Sequence, residues 1–128
     1  KKNVIDNLDI TIPYKIHDPE IKYHTEKITD DEFYQTFDKI YKLCNNLILL
    51  GPLLSDEHRK LLPQETILYR EHIIKLLQTC ADTYPGVIYI DMSDLINKNK
   101  YSKCMTDQYH YTNYFKSIYV KLILDNLN

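Results

Sequence analysis

The sequence predicts an α/β domain, a three-layer arrangement with helices on both faces of a parallel sheet, and three observations carry that expectation. Short apolar runs alternate with longer stretches of helical period, in the order strand, helix, strand, helix, strand, helix. The strand candidates show little polar alternation, which is how strands covered on both faces read. The stretches between them are long enough for the right-handed crossovers that join parallel neighbours.

Residues 8–14 are short and rich in β-branched side chains, so a strand is expected there, with Pro13 placing it at an edge or an end. Residues 15–28 are polar and irregular and carry His17, Asp18 and His24. Thr29-Asp30-Asp31-Glu32 has the form of a capping box. Phe33, Phe37, Ile40, Tyr41 and Cys44 then recur at helical spacing, which predicts a helix ending at Asn45-Asn46. Residues 47–50 run without a polar residue into Gly51-Pro52 and read as a buried strand stopped by a turn.

Residues 53–63 are expected to form a loop with Asp56, Glu57, His58, Arg59 and Lys60 exposed. From about residue 64 to 84, Ile67, Ile74, Leu77 and Ala81, with Ile73, Leu76 and Cys80 beside them, describe a broad buried helical face ended by Pro85-Gly86. His72, beside that face, reads as structural. Residues 87–91 form the clearest strand, again expected to be buried on both faces, and residues 93–96 begin a short turn or helix. A polar loop over residues 97–108 leads to Thr112, a suitable cap for a closing helix over residues 114–127. There Phe115, Ile118, Tyr119, Leu122 and Ile123 share one face.

The chain has 128 residues, 44% hydrophobic and 27% charged, the composition of one globular domain or a portion of one. A net charge of -2 without a lysine or arginine cluster gives no electrostatic reason for a nucleic-acid partner. The apolar runs are far shorter than the roughly 20 residues of a membrane helix. Cys44, Cys80 and Cys104 are odd in number and lack metal-site pairing, so they read as free thiols, in keeping with a reducing, cytoplasmic compartment. The start at Lys1 without a methionine reads as the beginning of a piece of a longer chain.

The chemistry concentrates in Thr106-Asp107-Gln108-Tyr109-His110-Tyr111-Thr112, just before the closing helix. A carboxylate three residues before an imidazole can accept a hydrogen bond from one ring nitrogen, fix the tautomer and leave the other nitrogen as a base. A surface turn bearing an unrelated Asp and His is the plain alternative. In open parallel sheets active sites lie beyond the carboxyl ends of the strands, and His17-Asp18, the Gly51-Pro52 turn and Asp107/His110 all fall on that rim in the expected order.

Here the chain resembles the C-terminal part of the SGNH (GDSL-like) hydrolase family. The D-x-x-H block Asp107 to His110 before a final helix carries the resemblance. The apolar strand ending at Gly51-Pro52, the long helix and the strand closing on Asp91 extend it in element order. The resemblance implies a parallel, flavodoxin-like sheet of which this chain is a C-terminal portion. It also implies an ester or O-acyl hydrolase, or a related acyltransferase, in which His110 is the general base and Asp107 orients it. The implied substrate is a small acylated compound, a carbohydrate O-acetyl group among them, with no cofactor.

Three departures bear on that implication, one being that the glycine the family usually carries a few residues after its histidine is missing, with Asn113-Tyr114-Phe115 in that stretch. The family's G-x-N-D block is matched only by Lys15-Ile16-His17-Asp18, so His17 is the candidate oxyanion donor, an exposed loop histidine being the alternative. The family's nucleophilic serine has no counterpart near the first strand. Ser55, Ser93, Ser102 and Ser117 read as solvated or capping serines, and Cys104 shows nothing that would lower its pKa. The nucleophile is therefore expected outside this segment, in a missing N-terminal part or a partner chain that would also cover the sheet.

Other groupings are weaker. His17, Asp18 and His24 have no metal-site spacing, so no metal is expected, and Gly51 and Gly86 are isolated, so no phosphate loop is expected. Tyr109, Tyr111 and Tyr114 either line an acyl or sugar pocket or simply pack at the helix start. A non-catalytic SGNH-like or flavodoxin-like binding or assembly module remains the second reading. A receiver-like or nucleotide-binding domain would need an acidic pair or glycine loop after the first strand, where only Asp18 stands.

Overall fold

The computed structural model describes residues 28–127. The chain divides into two compact units, Lys1–Lys39 and Ile40–Asn128. The strand expected over residues 8–14 lies outside the described residues.

In the first unit the described part is the beginning of helix α1 (Asp30–Leu43). It starts where the sequence requires. Glu32 N–H donates to Thr29 Oγ1 at 3.1 Å, and Thr29 N–H donates back to Glu32 Oε1 at 3.1 Å. Two N–H groups that the first turn leaves without intrahelical partners are thus satisfied reciprocally. Three acidic residues in that turn, Asp30, Asp31 and Glu32, also face the positive end of the helix dipole. Phe37 is the buried residue of the helix.

The second unit is built on two parallel strands, β1 (Leu47–Leu50) and β2 (Val87–Ile90), paired from Leu47 with Val87 to Leu50 with Ile90. The ladder is prolonged at both ends by Leu47 N–H to the Gly86 carbonyl at 3.3 Å and Gly51 N–H to the Ile90 carbonyl at 3.1 Å. Gly86 has φ +84°, and a Cβ there would meet the Asn45 carbonyl at 2.7 Å. The turn into β2 therefore needs glycine.

The connection between the strands contains α2 (Asp56–Leu61) and α3 (Gln64–Thr83). Residues 53–63 are thus not the loop expected. The Ser55 hydroxyl caps a short helix whose third residue, His58, is fully buried rather than exposed. Leu54 and Leu62, at the two ends of α2, pack with Ile67 of α3, while the other five residues of α2 stay exposed. Along α3, Ile67, Leu76 and Cys80 are buried while His72 is exposed, so His72 is not a core histidine.

After β2 come α4 (Met92–Asn99), α5 (Tyr101–Cys104) and α6 (Asn113–Asn126). The polar composition of residues 97–108 predicted a loop, yet Cys104 and Met105 lie in the main core with Ile90, Met92, Ile96 and Phe115. Lys100 separates α4 from α5, and its φ of 66° is unusual for a residue with a Cβ. Helix α6 starts as predicted, with Thr112 Oγ1 accepting from Phe115 N–H at 3.2 Å.

The described residues therefore form a mixed α/β arrangement around a two-strand parallel sheet. The strands are less buried than their apolar sequences predict: Leu50 is 40% exposed and Ile88 36%. Each strand has a single strand neighbour among the described residues, and side chains that a wider covered sheet would enclose stay in part accessible. Among the described residues no helix is long and apolar enough to cross a membrane.

Candidate functional site

The segment between α5 and α6 is a loop closed at its neck. Met105 and Tyr111 form an antiparallel bridge, Thr106 N–H donates to the His110 carbonyl at 2.8 Å, and Thr112 N–H donates to the Cys104 carbonyl at 2.7 Å. The Thr112 hydroxyl also donates to the Lys103 carbonyl at 2.6 Å. One side chain thus caps α6 and ties it to the end of α5.

Inside the loop Asp107 does two things. Its Oδ1 accepts from Tyr109 N–H at 2.7 Å and His110 N–H at 2.9 Å, the short-range bonding by which aspartate shapes a turn. The same carboxylate meets His110 Nδ1 at 3.0 Å from Oδ1 and 2.9 Å from Oδ2. The Tyr109 N–H first, and the His110 side chain second, hold the Asp107 carboxyl below its ordinary pKa. An ionised carboxylate only accepts, so Nδ1 carries a proton, and in the neutral ring the lone pair falls on Nε2.

The acid and the imidazole therefore meet, but the described residues do not enclose them: the side chains are 74% exposed for His110 and 49% for Asp107. Exposed ion pairs contribute little to stability. The geometry fixes a tautomer more than it holds the fold together.

A second histidine lies under the same loop. Ser55 N–H donates to His58 Nδ1 at 3.2 Å, the Ser55 hydroxyl lies 2.7 Å from Nδ1, and His58 N–H donates to Ser55 Oγ at 3.3 Å. Both residues are fully buried. Because Nδ1 accepts a backbone N–H, the neutral ring carries its proton on Nε2. That nitrogen has no hydrogen-bond partner of full geometry, although the Gln108 backbone carbonyl lies close enough to favour a proton on the ring. Burial outweighs it and, with the nearby Arg70 guanidinium, lowers the His58 pKa. The ring also packs edge-to-face on Tyr101, with centroids 5.1 Å apart.

The loops that leave the carboxyl ends of β1 and β2 are stitched together beside this pair. Leu54 N–H donates to Ser93 Oγ at 2.9 Å, and the Ser93 hydroxyl donates to the Pro52 carbonyl at 3.3 Å. Asp56 N–H donates to Asn97 Oδ1 at 3.0 Å, and Arg70 Nη1 donates to the Leu53 carbonyl at 2.5 Å. Asp91 caps α4 by accepting from Asp94 N–H at 3.1 Å.

His17, Asp18 and His24 lie outside the described residues, so the oxyanion donor has no described geometry. The hydroxyls of Ser55 and Ser93 are buried and engaged as above, that of Ser117 donates to the Tyr114 carbonyl at 2.7 Å, and Ser102 is exposed on α5. Cys104 is buried and its thiol pKa is raised by that burial, the reverse of what a nucleophile needs. Cys80 is pushed up to about 11 by burial, while Cys44, expected on a buried helix face, is exposed beyond the end of α1. No group of three His, Cys, Asp or Glu side chains suited to a metal ion occurs among the described residues.

Family models, curated proteins and solved structures offer no match to this chain. The functional reading therefore rests on residue chemistry. Sequence inspection missed the Ser55–His58 pair. The signal was present in Ser55-Asp56-Glu57-His58, a capping box with histidine in the place of the usual glutamate or glutamine.

Proposed function

We propose that this chain supplies the acid–base half of an SGNH-type ester or O-acyl hydrolase, or a related acyltransferase, and the C-terminal portion of its three-layer, flavodoxin-like sheet. A serine outside this segment attacks the acyl carbon, forming the Oγ–C bond while His110 Nε2 takes the hydroxyl proton. Asp107 accepts from Nδ1–H and favours the imidazolium that results. The imidazolium then protonates the departing alkoxide. Water, or an acceptor hydroxyl in a transferase, takes the acyl group from the serine by the same steps. His17 is the proposed oxyanion donor, and a small acylated compound such as an O-acetylated carbohydrate is the proposed substrate.

The observation that carries this reading is the contact of both Asp107 carboxylate oxygens with His110 Nδ1, which leaves Nε2 directed away from the acid. A second reading, a non-catalytic binding or assembly module, is favoured by the 74% exposure of the His110 side chain and by the turn-shaping bonds that Asp107 makes anyway. Hydrolysis of p-nitrophenyl acetate by the full-length protein and its His110→Ala variant separates them. The hydrolase reading expects a loss of about 1,000-fold or more. Equal rates above background in parent and variant would remove His110 from the chemistry.

A further inference from the structure

Ser55 and His58 are more than a helix cap. A capping residue ordinarily faces solvent, yet this pair is fully buried, and its bonds to Ser55 leave the His58 Nε2 hydrogen without a partner in its own helix. The Gln108 backbone lies near enough to the ring to favour its protonation, and Gln108 stands between Asp107 and His110 in the loop. The same ring packs on Tyr101, whose helix runs into that loop through the bond from Met105 N–H to the Tyr101 carbonyl at 2.8 Å. His58 thus touches the residue that leads into the loop and reaches towards the backbone at its centre.

We infer that His58 is a positioning residue: fixed by Ser55 with its proton on Nε2, it supports the Gln108 carbonyl and the Tyr101 ring, and through them the turn on which Asp107 and His110 meet. The inference rests on the proposed role of that pair, but its structural half can be tested without any activity. The support is polar on one side and steric on the other. A phenylalanine ring would keep the packing on Tyr101 and lose the nitrogen, whereas a glutamine amide can still offer an N–H towards the carbonyl.

Long-range proton–nitrogen spectra of the histidine rings in the full-length protein provide the test. In the unmodified protein the His58 ring is expected as the Nε2–H tautomer and the His110 ring as the Nδ1–H tautomer. In folded His58→Phe, His110 should lose its single tautomer, and p-nitrophenyl acetate turnover should fall about 10–100-fold in kcat with KM little changed. His58→Gln should restore both. A His58 ring protonated on Nδ1 in the unmodified protein overturns the inference even if no variant folds, as does a folded His58→Phe whose His110 signals are unchanged. If His110 responds while parent and variants all lack hydrolysis, the positioning role stands and the hydrolase reading falls.

Discussion

His58 and His110 each stand three residues after the side chain that engages Nδ1, and the two pairs are opposites in everything else. His110 donates from Nδ1 to a carboxylate on an exposed loop, which leaves an acceptor nitrogen facing outward. His58 accepts at Nδ1 from a backbone N–H inside the protein, which leaves a donor nitrogen facing inward. Spacing brings partners together, but the chemistry of the partner decides which nitrogen keeps the proton, and burial decides whether that choice serves reaction or architecture.

Removing each ring in turn is the strongest way to break this contrast. His58→Ala should cost about 2–4 kcal/mol, because it opens a cavity and strands the buried Ser55 hydroxyl and N–H. His110→Ala should change stability by no more than about 0.5 kcal/mol, as exposed side chains do. Denaturant unfolding of both variants checks this, and similar losses would erase the distinction.

Acid titration sharpens it. The folded-state pKa of His58 lies below the ordinary histidine value of about 6.5, so the unfolded chain binds the proton first. The stability His58 contributes is present above that value and is lost as the pH falls below it towards the folded-state pKa. The folded-state pKa of Asp107 lies below the ordinary aspartate value of about 3.8, so its contribution is present above that value and lost only in stronger acid. Unfolding measured across pH should show His58→Phe flattening the slope below about 6.5, and Asp107→Asn altering the acid limb below about 3.8.

The smallest effect concerns the neck of the exposed loop. Thr112→Ala removes the α6 cap and the bond to Lys103 and should cost about 1 kcal/mol. Amide exchange should quicken at Thr106 and Phe115 while the amides of Ser55 and His58 stay protected. Equal quickening in both regions would mean that the loop and the buried pair open as one unit.

Much of this was legible in the sequence where a local rule has a local partner. Thr29 with Glu32 and Thr112 with Phe115 start their helices as their spacing requires, and Asp107 and His110 meet as theirs allows. What was not legible depended on tertiary cover. The continuous apolar runs at residues 47–50 and 87–90 mark strands but do not record how many neighbours those strands have, so Leu50 and Ile88 read as more buried than they are. The charged run around His58 read as a solvated loop, because the burial of one side chain in five depends on contacts of its ring, with Ser55 and with the distant Tyr101, that composition does not record. The polar residues from 97 to 108 hid two core side chains, Cys104 and Met105, for the same reason.

The most direct measurement is the ring-nitrogen spectrum of neutral His110 in the full-length protein, recorded with and without Asp107→Asn. The account predicts that neutral His110 carries its proton on Nδ1 in the parent and that this preference is lost in the variant. A parent His110 already protonated on Nε2, unmoved by the substitution, would mean that Asp107 does not hold the imidazole as a base, and the proposed chemistry would have no foundation.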